Sequence, residues 1–244
     1  MERALELTYY AERTHFWFRG FRKYVIPVLR DVTHGRQGLR LLDCGCGTGF
    51  NLNQLREYGR AVGYDLLEPA VRWTKQRGLS VARADATRVP FKDASFDVVT
   101  CFDMLESVPD DRAAIAEMAR VVVPGGAVVL CVPAFEFLSA DHAISWSEVH
   151  RYTPASIRRV VESTGLRVER VSFMFASLFP LLVASRVWQR LVRPLRGVRA
   201  DADIGVPAAP VNGLLSVIVE GEARLARTIP MPVGSSLLVV GRKP

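Results

Sequence analysis

The residues best placed to do chemistry fall early in the chain. Asp43, Gly45, Cys46, Gly47 and Gly49 lie in the run Leu41-Leu42-Asp43-Cys44-Gly45-Cys46-Gly47-Thr48-Gly49, and Asp65, followed by Leu66, closes Val62-Gly63-Tyr64-Asp65. An apolar strand that runs into G-x-G-x-G and then a helix makes a tight turn over which a ligand can approach the backbone, because glycine enters positive φ without steric cost. The unpaired N–H groups at the start of the next helix favour a negative group, here the carboxylate of an amino-acid moiety. An acid ending the second strand can accept hydrogen bonds from both hydroxyls of a ribose, and ligands of open α/β sheets bind at the carboxyl ends of the strands. A dinucleotide fingerprint, G-x-G-x-x-G/A, would put its third small residue at position 50. Phe50 is too bulky for that contact, which disfavours a nicotinamide-dependent oxidoreductase.

Short apolar runs and amphipathic segments alternate around these residues. Strands are expected at 39–43, 61–65, 79–83, 96–101 and 127–132, and helices at 50–58, 68–77 and 110–120. The run Phe96 to Cys101 (FDVVTC) is near-continuously apolar, as a strand buried on both faces requires. Pro124-Gly125-Gly126 turns the chain into Ala127 to Val132. Thr153 and Pro154 have the chemistry of a helix cap and first residue, and Gly165 that of its end. Two further strands, at 166–175 and 236–240, are separated by a long, mostly helical stretch. Such alternation calls for a doubly wound, mostly parallel α/β sheet with helices on both faces. The chain divides into an N-terminal helical cap (1–38), a ligand-binding domain (39–175), a helical insertion between the last two strands (176–234) and a final strand (235–244).

Taken in order, these motifs resemble those of class I S-adenosylmethionine-dependent methyltransferases. Asp43 with Gly45, Gly47 and Gly49 looks like that family's first signature, and Asp65 matches its ribose acid. Ala84-Asp85-Ala86, followed by Val89-Pro90-Phe91 and Ser95-Phe96-Asp97-Val98-Val99, is similar to its adenine-contact loop and fourth strand. Val123-Pro124-Gly125-Gly126 resembles the turn into its fifth. The resemblance spans residues 38–175. It implies a Rossmann-like, seven-stranded sheet, with S-adenosylmethionine as cofactor and S-adenosylhomocysteine as product. It also implies that Asp85 lies near the exocyclic amine of adenine, with Ala86 flanking it, and that Phe102 and Asp103 border the methionine part. His15-Phe16-Trp17-Phe18-Arg19 resembles a segment that precedes the cofactor domain in one bacterial branch. These aromatics either pack within a cap helix or, Trp17 among them, cover the sulfonium and the acceptor, since a positive charge suits aromatic faces.

Methyl transfer is an in-line displacement at a sulfonium carbon. The leaving thioether departs neutral, so a base is needed only when the acceptor arrives protonated. Two loops at the carboxyl ends of strands offer candidates. Asp103-Met104-Leu105-Glu106-Ser107 contributes Glu106, although related methyltransferases often have His where Ser107 stands. The segment from Asp141-His142 to His150-Arg151-Tyr152 is similar to the family's substrate-facing loop. It contributes His142 and His150, which titrate near neutral pH, and Tyr152 as a substrate contact. Structural hydrogen bonding is the alternative role for both histidines. No metal site is expected from them, because no Cys or acid at ligand spacing accompanies them. The expected acceptor is a small molecule or a lipid or glycan precursor, methylated at oxygen. RNA or protein acceptors, or a cofactor-binding module without catalysis, are the alternatives.

A formal charge of +7 and a pI of about 9.6, mostly from arginine, suit an anionic partner. No basic stripe interleaves with aromatics, so nucleic acid is not favoured. Cysteines at 44, 46, 101 and 131 form no C-x-x-C pair and fit a reducing compartment. The N-terminus lacks the apolar core of a secretory signal, and a cytoplasmic location is expected. Val171 to Ser185 is uncharged, yet it is shorter than the ~20 residues of a spanning helix and is interrupted by Pro180. Beyond it, Arg186, Arg190 and Arg193 recur at helical spacing beside Val183, Val187 and Leu191, until Pro194 breaks the helix. This basic helix is expected to form a lid over the acceptor pocket with its arginines in solvent, and only weak peripheral membrane contact through 171–199. Val211 to Arg227 reads as another helix, with Glu220 and Glu222 facing solvent in no chemical role. Nothing in the sequence sets an oligomeric state.

Overall fold

The alternation of apolar strands with amphipathic helices carries through to the computed structural model, which describes residues 2–139, 147–196 and 205–244. Seven strands, β1 (Leu39–Cys44), β2 (Gly59–Asp65), β3 (Val81–Arg83), β4 (Phe96–Phe102), β5 (Val122–Pro133), β6 (Arg167–Met174) and β7 (Ser236–Arg242), form one sheet in the order β3-β2-β1-β4-β5-β7-β6. Strands β1 to β5 are parallel, and β7 runs antiparallel between β5 and β6. From β1 the chain winds outward through β2 to β3 and then returns to β4 on the other side of β1. The carboxyl ends of β1 and β4 therefore lead into connections that diverge, which opens a crevice at the topological switch point.

Period-two alternation assigns each side chain of a strand to one of two layers. Val98, Val129, Leu238 and Val240 point into one core, which α2 (Phe16–Thr33) and α8 (Ala209–Leu225) cover with Val25, Leu29 and Val219. Val99, Val128, Leu130 and Val239 point into the other, which α5 (Asp111–Val121) and α6 (Pro154–Glu162) cover with Ile115, Met118 and Val161. The remaining helices are α1 (Glu2–Ala11), α3 (Phe50–Leu55), α4 (Glu68–Gln76) and α7 (Phe179–Arg196).

Local signals act as read. The Thr153 side chain accepts from the Ser156 N–H, Pro154 opens α6, and Gly165 takes up a φ of 85° just beyond it. Some boundaries move. Helix α3 stops at Leu55 because Tyr58 N–H already bonds back to Leu55, while Tyr58 C=O accepts from Leu39 at the start of β1. Strand β5 begins at Val122 rather than 127, since Val122 pairs with Phe96 across a register shift. Helix α7 runs through Pro194 to Arg196, and Pro180 sits in its first turn, where a missing N–H breaks no bond.

Two expectations about the insertion are corrected. Glu222 does not face solvent: it is buried, and its carboxylate accepts from the Tyr24 hydroxyl, from Ala176 N–H at 2.6 Å and from Ser177 N–H at 2.7 Å. Glu220 is engaged as well, by Arg19 at 2.8 Å. Arg186 and Arg190 of α7 do not point away from the protein either. Arg186 is buried and donates to Leu138 C=O, and Arg190 donates to Phe137 C=O at 2.6 Å. The stripe of Val187 and Leu191 is the one left in solvent.

Candidate functional site

The glycine turn follows β1 directly into the crevice. Gly45 and Gly47 have φ of 68° and 53°, values that L side chains rarely adopt. A Cβ on Gly45 would collide with the Met104 side chain, whereas one on Gly47 would enter open space. At the end of β2, Asp65 is buried and spans the two strand ends. Its Oδ2 accepts from Gly47 N–H and its Oδ1 from Leu67 N–H, each at 2.9 Å. Every carboxylate oxygen has two lone pairs, so each keeps one for a ribose hydroxyl. Burial raises the Asp65 pKa, and those backbone N–H groups oppose the rise. Asp43, fully buried beneath the turn, accepts from the Thr100 hydroxyl at 2.8 Å and is pushed up to about 7 by desolvation.

The adenine side is a small folded loop. Asp85 Oδ1 accepts from both the N–H and the hydroxyl of Thr87 at 2.8 Å, which lowers its pKa, and Ala86 beside it is buried. Phe102, at the end of β4, packs edge-on against Phe21 of α2 with centroids 5.2 Å apart. Asp103 follows with a φ of 50°, accepts from Cys131 Sγ at 3.4 Å, and is exposed in the crevice.

Of the base candidates, Glu106 is 8% exposed, and among the described residues its Oε2 has no hydrogen-bond partner. Burial first, then the like charge of Asp103, drives its pKa well above 4.5. Its main chain accepts from Val149 N–H and His150 N–H, which ties the loop after β4 to residues 147–152. The His150 ring lies 3.1 Å from Pro109 C=O, a structural contact. His142 lies outside the described residues. The Tyr152 side chain is buried, and its hydroxyl donates to Asp111 at 3.0 Å, holding the loop to α5. Trp17 stacks on Phe175 at 3.9 Å, packed on the α2–α8 core.

Two groupings carry no sequence signal because their members lie far apart in the chain. Buried Glu12, just beyond α1, binds both the Thr48 hydroxyl and the Arg77 guanidinium; Arg77 also donates to Thr48 C=O at 2.7 Å. This latch, with Tyr9 stacked on Trp73 at 4.2 Å, fastens the cap onto the glycine turn. Half-buried Arg22 adds a cation over the Phe50 ring at the start of α3. The second grouping is aromatic. Phe135 lies two residues past β5, with a φ of 57°, and has Phe137, Phe173 and Phe179 within centroid distances of 5.4, 5.6 and 6.0 Å. A positive φ on phenylalanine is strain of the kind that clusters at ligand sites.

Residues 42–130 match the family model described as a methyltransferase domain, and they contain the glycine turn, Asp65 and the adenine loop. Residues 42–130 are thus a methyltransferase domain, and they carry the motifs that resemble the class I S-adenosylmethionine-dependent family. Among curated relatives, the chain is 30% identical over 159 residues to the ubiquinone biosynthesis O-methyltransferase of Idiomarina loihiensis, covering 57% of this chain and 65% of that one. It is 30% identical over 142 residues to the demethylmenaquinone methyltransferase of Mycolicibacterium paratuberculosis, covering 58% and 60%. The chain thus spans less than two thirds of the length of either. Its fold is that of the Haloferax volcanii methyltransferase solved with the Trm112 methyltransferase activator, at a TM-score of 0.60 and 20% identity, over 99% of this chain and 94% of that one.

The cofactor of this family is S-adenosylmethionine, and the residues present fit it. The open backbone at Gly47 leaves room, Asp65 keeps acceptor capacity for a ribose, and the Asp85–Ala86 loop is already folded at the adenine end. When bound, the cofactor supplies an electrophilic methyl group.

Proposed function

We propose that the protein methylates an oxygen of a small, apolar, lipid-linked acceptor. The observation that carries this reading is the Phe135–Phe137–Phe173–Phe179 cluster, on the same carboxyl edge of the sheet as the cofactor cradle. Apolar pockets with a few placed polar groups suit such ligands. The two relatives named for quinone compounds add support for a ring-bearing acceptor with an apolar tail.

In this reading the cradle holds the cofactor and the aromatic wall orients the acceptor beside it. With the cofactor bound, its methyl group would pass to the acceptor oxygen as the sulfur retained the electron pair of the broken C–S bond, and the acceptor proton would have to leave. Glu106 is the candidate base: its raised pKa brings the carboxyl towards the working pH, where proton transfer is efficient. Cap residues latched by Glu12 keep water from the reacting atoms.

Incubation of the chain with methyl-labelled S-adenosylmethionine and a total-lipid extract tests this reading. Label is expected in an organic-soluble product. Label in RNA or protein instead, or bound cofactor with no transfer to any fraction, would overturn it.

A further inference from the structure

The two insertion helices present an unusual outer surface. A helix packed on a core places its apolar stripe inward and its charged residues outward. Helices α7 and α8 do bury a stripe, with Leu182, Leu215 and Val219 set against the α2 side of the sheet. Each carries a second apolar stripe on the outside. On α7, Leu181, Trp188 and Leu191 are 61%, 63% and 68% exposed, at spacings of seven and three residues that keep them on one face. On α8, Leu214, Val217 and Ile218 continue the pattern, and Val217 is 71% exposed. Single exposed apolar residues are ordinary, but contiguous sets mark interaction surfaces.

Charge decides what fits against this surface. Residues 176–234 contain seven arginines and four acids. The two acids of α8 are withdrawn, Glu222 into the interior and Glu220 onto Arg19 and Lys23, while Arg224 and Arg227 are exposed at the end of the helix and just past it. A second copy of this chain would set a +7 molecule against another. An exposed apolar face with a tryptophan, in an insertion with an excess of arginine, is instead the composition of a membrane interface, where the ring sits at headgroup level and cations meet anionic lipid. No described helix is long and apolar enough to cross a bilayer, so the contact is one of lying on the surface. The face also adjoins the phenylalanine cluster, because Arg190 of α7 is bonded to Phe137 C=O.

We propose that the outer faces of α7 and α8 dock on an anionic lipid bilayer. The contact does not depend on which acceptor the enzyme uses. The test is co-sedimentation of the full chain with vesicles of phosphatidylcholine alone or mixed with phosphatidylglycerol, at physiological salt. Wild-type protein is expected to partition onto the mixed vesicles roughly tenfold more than onto the neutral ones, and less at high salt as the charges are screened. Trp188→Glu with Leu191→Glu, and separately Leu214→Glu with Val217→Glu, are each expected to lower that partitioning roughly tenfold while leaving the melting temperature and S-adenosylhomocysteine binding unchanged. A folded wild-type protein that ignores mixed vesicles would overturn the proposal. So would binding that neither pair of substitutions reduces, or a wild-type dimer that the same substitutions dissociate.

Discussion

Asp65 is the residue on which we expect cofactor affinity to turn. It bridges the glycine turn and the start of α4 through two 2.9 Å hydrogen bonds and has acceptor sites left for two hydroxyls. Asp65→Ala removes charge-assisted bonds and is expected to weaken S-adenosylhomocysteine binding at least tenfold, about 1.4 kcal/mol, by calorimetry. Glu106 makes a different prediction. Its native pKa is raised, so between 4.5 and that higher value the folded protein holds a proton that the unfolded chain has released. Stability therefore falls as pH rises through that window. Glu106→Gln cannot lose a proton, so it should match wild type near pH 4.5 and become the more stable of the two as pH rises through that window, in denaturant titrations across it. If Glu106 is also the base, the same variant loses turnover while gaining stability. The position of Asp65 beside the glycine turn was legible in the sequence because a strand, a turn and an acid lie within 25 positions of one another. The state of Glu106 was not, because its burial and its neighbours Glu148 and Arg151 depend on a loop more than forty residues further on.

At the scale of elements, the insertion is fixed by one carboxylate. Glu222 accepts from the first residues after β6 and from Tyr24 of α2, and so joins three elements. Glu222→Ala would leave those donors buried and unsatisfied, and is expected to destabilise the protein by about 2–3 kcal/mol in chemical unfolding. Sequence spacing correctly placed helices here but reversed the outward face of α7. Periodicity reports that a helix has distinct faces; it does not report which one the protein takes. In α7, Arg186 and Arg190 donate to the carbonyls at 138 and 137, and Val187 and Leu191 are left outside.

For the whole molecule, the cofactor is expected to act as a clasp. It would touch the ends of β1, β2 and β4 and the loop at Asp85, all contributed by separate stretches of chain. Binding only the folded state, S-adenosylhomocysteine at a hundred times its Kd should add about 2.7 kcal/mol. In a chain of this size that corresponds to a rise in melting temperature of roughly 5–10 °C, readable by calorimetry. Asp65→Ala should lose about half of that rise or more at the same ligand concentration.

What the sequence determined alone was the order of strands and helices, the sheet they imply, and the glycine–aspartate cradle. Each of these is written in residues close along the chain, where propensity, period and backbone sterics act. Packing across the chain set the burial of Glu222, the raised pKa of Glu106, the latch of Glu12 on Thr48, the gathering of four phenylalanines, and the face of α7 turned to solvent. Those depend on contacts between residues up to 198 positions apart, such as Tyr24 with Glu222, and packing alone brings such residues together.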